Sequence, residues 1–313
     1  MTTNEKVDFK NINDSEEEVP IIIIEREEEE PQDKPKENKV YYTNNKRKQR
    51  TVLWVLVSVI LTLITSLSAF FIYRYIKNQY IGVPISCTPE QNIQKLATKN
   101  SRKITPEVIL TSDSLLGVAM NLYELRGLKA EISFEEPDTA DTSVYLYSRC
   151  ADHASSGEYL GSLVVNGTEL QSDNTRKGYC AMANDNFVIG IAKTEEVKDY
   201  TIQQQGSFFR QFILVSKGVI PSVFHLHGKI ERRGLGRIND TYYYIETKHA
   251  ETLWDFADAL RQYGFTDAIY VTGGADYNFY RTVDGQRHDI NDINIYPHSE
   301  WKGIIPWLIF RKK

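Results

Sequence analysis

Arg210 stands inside an apolar run, Phe208-Phe209-Arg210-Gln211. A guanidinium there is costly to bury unless it meets a carboxylate or a phosphate, so an anion ligand and a structural ion pair are the two readings. Gly273-Gly274 follows the apolar stretch Asp267–Val271, and two successive glycines let backbone amides approach a phosphate, or simply make a tight turn. Tyr277, Phe279 and Tyr280 come next and have the faces to stack on a sugar, although 19 tyrosines make such clusters common. His225-x-His227 puts two imidazoles on one side of an extended segment, a spacing that suits a metal or an exposed strand equally. No third ligand lies nearby in sequence, so no metal ligand is assigned. The cofactor is left unknown, with a Ca²⁺ or Mg²⁺ held by acidic loops compatible with the composition. Asp284, Asp289 and Asp292 read as a solvated loop. Cys87, Cys150 and Cys180 lack the CxxC spacing of zinc or redox sites. In an oxidising compartment one bridge is open to them, and Cys150 with Cys180 is the expected pair.

Positioning these groups calls for mixed α and β structure. Ser143–Ser148, Tyr159–Val165, Phe187–Ala192, Phe208–Val215 and Tyr242–Ile245 read as strands, with Asn166-Gly167 as a hairpin turn. Between Ala250 and Gln262 the apolar period becomes helical, through Leu253, Phe256, Ala257 and Leu260, and Gly264 marks the stop. Asp267–Val271 resumes the strand pattern. This strand, helix, strand succession predicts a crossover between parallel strands in a mixed sheet, with Thr272-Gly273-Gly274 at a strand's carboxyl end, where α/β folds place ligands. The final apolar run is Ile304–Phe310. The fold class expected is thus α/β, in the mixed α+β sense.

Ahead of this body, Thr51–Tyr73 carries no charge and is long enough to cross about 30 Å of hydrocarbon as a helix. Lys46-Arg47-Lys48-Gln49-Arg50 lies on its amino side, against only Arg74 and Lys77 beyond it. The positive-inside bias puts the N-terminus in the cytosol and the body on the extracytoplasmic side, periplasmic in a Gram-negative host. The divisions expected are a tail and basic run over 1–50, a span over 51–73, a stalk over 74–100 with a short helix near Glu90–Ala97, and a single domain over 101–313. Residues 1–45 hold 6 Lys+Arg against 13 Asp+Glu, a composition that favours disorder. Within that tail Ile21–Ile24, followed by Glu27–Glu30, reads either as a strand that adds to a cytosolic partner, resembling a SUMO-interacting motif, or as a chance apolar patch. The net charge of −5 leaves no basic surface that would track a phosphate backbone, which argues against nucleic acid as a partner.

Four pieces between about Thr142 and the C-terminus resemble the phosphodiester glycosidase family, the uncovering-enzyme-like N-acetylglucosamine-1-phosphodiester α-N-acetylglucosaminidase domain. They are Lys177-Gly178-Tyr179-Cys180, Arg232-Arg233-Gly234-Leu235-Gly236, the helix Glu251–Tyr263, and Val271-Thr272-Gly273-Gly274. The family has an Asn-Gly-Gly turn at the first piece, Arg-Thr-Ala-Ile-Gly at the second and Leu-Asp-Gly-Gly at the fourth. The resemblance implies a membrane-anchored glycosidase of bacterial type. Arg232 matches the family's arginine, and its forked donors suit an anionic oxygen pair or a structural ion pair. Arg210, Arg232, Gly273 and Gly274 are thus the candidate phosphate ligands. Two departures matter: Arg176 or Lys177 replaces the family's Asn, and Thr272 replaces the Asp of Asp-Gly-Gly. With that acid absent, Asp276 and Glu246 are the candidate catalytic carboxylates. Two functions follow: a hydrolase of a sugar phosphodiester or phosphate-linked envelope glycan, or a catalytically inactive relative that binds a glycan or a protein partner as a scaffold.

Overall fold

The computed structural model describes residues 45–78, 83–98, 104–154, 157–221, 224, 226–274, 279–290 and 305–313. The acidic tail, including Ile21–Ile24, lies outside the described residues, as do Asp276, Tyr277, His225 and Asp292.

Helix α1 (Asn45–Asn78) contains Gln49–Arg74, the one helix among the described residues long and apolar enough to cross a membrane. Thr62 satisfies its hydroxyl on the Ser58 carbonyl, as an isolated hydroxyl on an apolar helix must.

The body begins earlier than the sequence suggests. Residues 83–98, expected as stalk, are packed on it: Pro84 accepts a hydrogen bond from Ser216 Oγ at 2.7 Å, and Ser86 Oγ donates to Asp267 at 2.7 Å. Helix α2 (Pro89–Ala97) starts with Thr88 and Gln91 in a reciprocal capping box, followed by Pro at the first turn. It buries Asn92 and Leu96, and Asn92 donates to Tyr179 Oη at 2.6 Å. A short amphipathic helix of this kind gains most of its stability from the face it docks, which is why position after a span is a poor guide to its role.

Among the described residues, sixteen strands form three sheets. The first joins β1 (Glu107–Leu115) and β2 (Val118–Arg126) to four later strands. The second opens with β3 (Leu128–Ser133) and β4 (Val144–Arg149). The third comprises β5 (Leu163–Val165), β6 (Thr168–Gln171), β7 (Gly178–Ala183), β8 (Asn186–Ile191) and β9 (Ser207–Gln211), with helix α3 (Glu196–Gln203) ahead of β9. Strands β10 (Ile213–Ser216), β11 (Arg232–Ile238), β12 (Thr241–Thr247) and β13 (Asp267–Gly273) complete the first sheet, in the order β1-β2-β12-β11-β13-β10. Helix α4 (Leu253–Tyr263) lies between β12 and β13 in the chain. Strands β14 (Phe279–Arg281), β15 (Arg287–Asp289) and β16 (Trp307–Lys312) complete the second, in the order β15-β14-β4-β16-β3.

Every ladder among the described residues is antiparallel. The crossover exists, but β11 lies between β12 and β13 and pairs antiparallel with both, so the two parallel strands are not neighbours. The mixed sheet expected from their succession is therefore an antiparallel one. Helix α4 stops where expected, with Gly264 in the left-handed conformation at φ 106°, but starts two residues later than Glu251, because Thr252 accepts from the Asp255 amide at 3.0 Å as its cap. Its buried face, Leu253, Phe256, Ala257 and Leu260, packs with Leu122, Ile245, Ala268 and Tyr270. Their sequence neighbours Tyr123, Tyr244, Ile269 and Val271 belong to a separate core with Leu146, Leu308 and Phe310 of the second sheet. Strand alternation thus puts α4 and the second sheet on opposite faces of the first.

The run Phe208–Val215 is two strands in two sheets. The chain leaves the third sheet at Gln211 and enters the first at Ile213, with Phe212 at the corner. Continuous apolar composition cannot reveal such a corner, because both strands are buried on both faces. The Asn166-Gly167 turn is as expected, with φ of 49° and 78° joining Val165 to Thr168. Its Gly167 amide donates to the Gly206 carbonyl at 2.7 Å. A Cβ on Gly206 would stand 2.1 Å from the Met182 carbonyl oxygen. Gly206→Ala is therefore expected to lower stability by about 1–3 kcal/mol, read as a lower urea midpoint with an unchanged slope.

Cys87, Cys150 and Cys180 are all free thiols. The expected Cys150–Cys180 bridge is not formed. Both are buried in the same core, where desolvation pushes each thiol well above its ordinary range and keeps the reactive thiolate out of reach.

Candidate functional site

A cavity of ≈ 490 Å³ opens beside the carboxyl ends of β4 and β13, lined among others by Arg149, Asp152, His153, Thr272, Gly273 and Ile305. A carboxylate that follows one sheet receives a polar donor from each of the other two. Asp152 follows β4 of the second sheet. Thr272, on β13 of the first, donates from Oγ1 to Asp152 Oδ1 at 3.1 Å. Gln211, at the end of β9 in the third, donates from Nε2 to Asp152 Oδ2 at 3.0 Å. The corner at Phe212 is what brings Gln211 here, and the Arg176 guanidinium lies 3.5 Å over the Phe212 ring.

The loop carrying Asp152 is fixed from both sides. The Cys150 amide donates to the Pro306 carbonyl at 2.9 Å, and the Leu160 amide donates to the Asp152 carbonyl at 2.8 Å. Ala151 holds φ at 59°, a left-handed backbone that is unfavourable for a residue with a Cβ and persists only where surrounding contacts impose it. The His153 ring sits 4.7 Å from that of Tyr159.

Burial raises the Asp152 carboxyl above the ordinary carboxylate range, opposed by the hydrogen bonds from Thr272 and Gln211 and by the charges of Arg176 and His153. On the same strand as Thr272, the Tyr270 phenol is pushed up to about 12, first by burial and then by the Asp152 charge, with Arg232 opposing. A carboxylate made more basic by desolvation, yet supplied with two donors, can take and return a proton.

The residues singled out in the sequence divide sharply. Thr272 and Gly273 line the cavity. Gly273 is a glycine because a Cβ there would come within 2.3 Å of Tyr270 Oη and 2.4 Å of Ile230 Cδ1. Gly274 is one because φ is 84°. The Gly274 amide donates to the Glu231 carbonyl at 3.0 Å, so the amide expected to cradle phosphate is already engaged. Glu246 is buried in an ion pair with Arg233 at 3.1 Å, and Arg233 also donates to the Gly274 carbonyl. A carboxylate so enclosed supports the strand end and is not presented to a ligand. Asp276 lies outside the described residues.

Both candidate arginines hold the scaffold. Arg210 gives its Nη2 to the two carboxylate oxygens of Glu195, at 2.7 and 2.8 Å, which tethers β9 to the start of α3. Arg232 donates to the Glu251 carbonyl at 2.9 Å, to the Gly228 carbonyl at 2.6 Å and to Tyr270 Oη at 3.4 Å. The former is the ion-pair alternative to a phosphate ligand. The latter uses the forked donors on backbone carbonyls, a possibility that residue type does not announce. Lys177-Gly178-Tyr179-Cys180, expected as a turn, instead leads into buried β7. Phe279 packs on Tyr147 at 5.2 Å, and Tyr280 stacks on His288 at 4.9 Å, so neither is a free sugar platform. Among the described residues no three His, Cys, Asp or Glu side chains gather as a metal site. Asp152 and His153 carried one legible signal, adjacent titratable residues just beyond a strand's carboxyl end.

No protein-family model matches this chain, and no curated protein matches it. Among solved structures, it is similar to the zebrafish N-acetylglucosamine-1-phosphodiester α-N-acetylglucosaminidase catalytic domain auto-inhibited by its pro-peptide, at 13% identity over 70% of this chain and 87% of that one, with a TM-score of 0.47. It is also similar to a hypothetical protein from Synechocystis, at 9% identity over 65% of this chain and 62% of that one, with a TM-score of 0.43.

Proposed function

We propose that this chain is a hydrolase anchored by α1, with its body outside the cytosol, and that the cavity takes a sugar joined through phosphate. The observation that carries the reading is Asp152: one carboxyl, raised by burial, held by donors from two other sheets and facing a cavity large enough for a small ligand. Phosphate is a competent leaving group, so the more demanding step is bringing water to the anomeric carbon. Asp152 accepts the proton of the attacking water as the bond from C1 to the phosphate oxygen breaks. That proton then passes to solvent or to the departing phosphate. Arg149 lies on the cavity wall and supplies positive charge for the phosphate.

The test is release of sugar from a panel of sugar phosphodiesters by the full chain in detergent micelles, with and without Ca²⁺ or Mg²⁺. Hydrolysis is expected, and Arg149→Ala is expected to raise KM about tenfold or more, the size of a lost charge-assisted hydrogen bond, with a smaller effect on kcat. A folded protein that releases no sugar across the panel overturns the reading and leaves a glycan-binding scaffold in its place.

A further inference from the structure

The segment between β10 and β11 and the start of α4 combine exposed apolar side chains with basic ones. Between β10 and β11 the segment from Lys217 to Ile230 contains no Asp or Glu, although the chain has 42 such residues. Val219, Leu226 and Ile230 are 49%, 51% and 41% exposed, and Trp254, in the first turn of α4, is 48% exposed. The segment and the start of α4 are in contact. The Trp254 ring lies 6.4 Å from Phe224 in the same segment, and Ile230 pairs with Glu251 just ahead of α4. Lys217 and Lys248 are exposed, and Lys229, 62% exposed, reaches only loosely to Glu251 at 3.8 Å.

The two ends of this stripe touch informative places. At one end Ser216, next to Lys217, donates to the Pro84 carbonyl. Val83, the first described residue of the body, follows Arg74, the last residue of the apolar span, by nine positions. Even fully extended, that length of chain reaches roughly 30 Å. At the other end the Ile230 side chain lies against Gly273 on the cavity wall.

We infer that this stripe, Val219, Leu226, Ile230 and Trp254 with their flanking lysines, rests on the bilayer surface. Aliphatic side chains and a half-exposed tryptophan bordered by lysines match the chemistry of the membrane interface: apolar below, amphipathic at the headgroups, cationic against lipid phosphate. A short tether keeps the stripe within reach, so docking demands little further ordering. The cavity, beside the stripe's far end, is then held close to the headgroups, which suits a substrate carried on a lipid or on a polymer fixed to the membrane. The docking rests on Gln49–Arg74 spanning the bilayer and not on the chemistry assigned to Asp152.

The test uses the full chain in phosphatidylcholine and phosphatidylglycerol vesicles, with Cys87→Ser and a spin label on Leu226→Cys. Val283→Cys serves as the control. It is 57% exposed, beyond β14 of the second sheet, across the first sheet from α4. Collision with oxygen, which partitions into lipid, is compared with collision with a water-soluble nickel chelate. In protein that floats with vesicles, the oxygen-to-nickel ratio is expected to be several-fold higher at 226 than at 283. Equal, water-like ratios at both positions overturn the inference, whatever protein that face then proves to bind. A chain that does not float with vesicles removes the anchor and the docking together, while leaving sugar release in micelles as a separate result.

Discussion

Asp152→Asn is expected to lower hydrolysis by about 10²–10⁴-fold, the usual size of a general acid–base contribution, without lowering the melting temperature at neutral pH. The two halves of this result have one cause. Burial raises the Asp152 carboxyl above its unfolded value, so the folded protein binds that proton more firmly than the unfolded chain does. The stability this contributes is complete below the unfolded pKa and is lost as pH rises through the folded pKa. At neutral pH the charged carboxylate therefore weighs against folding. Asparagine stays neutral throughout. Its carbonyl accepts from Gln211 while its amide donates to the Thr272 hydroxyl, which can accept as readily as it donates. Wild type and variant should converge in melting temperature toward acid pH and separate as pH rises, with the variant the more stable. The wild-type rate should rise with pH through a pKa above the ordinary carboxylate range. A variant that keeps the wild-type rate removes Asp152 from the chemistry. One that loses both rate and stability makes it a structural acid.

What could be read from sequence follows the range of the interaction. The α4 boundaries depend on Thr252 and Gly264, and the hairpin at Asn166-Gly167 on two residues able to take positive φ. These are local causes, and the residue types announce them. The corner at Phe212 is different: Gln211 and Ile213 are both buried, and nothing within a few residues says that one ends the third sheet and the other begins the first. The site inherits that difficulty. Asp152, Gln211 and Thr272 are brought together by the arrangement of sheets, across 120 residues of chain in the case of Asp152 and Thr272. Arg210 and Glu246 show the converse. Arg210 reads as a charge that needs a partner and Glu246 as a candidate catalytic carboxylate, and Glu195 and Arg233 pair with them within 15 residues of chain. A buried charge signals that something compensates it and leaves open whether the compensator is a ligand or the protein itself. Thr272 connects the two cases. Its hydroxyl donates to Asp152, so a residue to which the local sequence points has its partner on a loop 120 positions away.

Glu246→Ala should be the most destabilising of these substitutions, at about 3–5 kcal/mol, because it removes one partner of a buried ion pair and the Glu246 carboxylate no longer offsets the burial of the Arg233 guanidinium. The size of that loss would not show that the ion pair stabilises the fold relative to an apolar core. The double variant Arg233→Met, Glu246→Leu removes both charges together with their desolvation cost, and should recover most of the loss in urea unfolding. Its activity should not recover with it. Arg233 also holds the Gly274 carbonyl, and Gly274 directly follows the cavity residues Thr272 and Gly273. With that carbonyl released, the end of β13 is held against β11 by the ladder and the Gly274 amide alone, and the Thr272 hydroxyl is less well placed to meet Asp152. The double variant should thus unfold near the wild-type urea midpoint while kcat falls and the pH dependence of the rate shifts, the signature of a positioning pair. If Glu246 were instead the reacting carboxylate, Glu246→Gln would abolish turnover with a smaller loss of stability than Glu246→Ala, and the wild-type pH profile would survive in Asp152→Asn. Measuring urea midpoint, kcat and pH profile on the wild type and these four variants separates the two assignments, because only one of them couples the rate to Asp152.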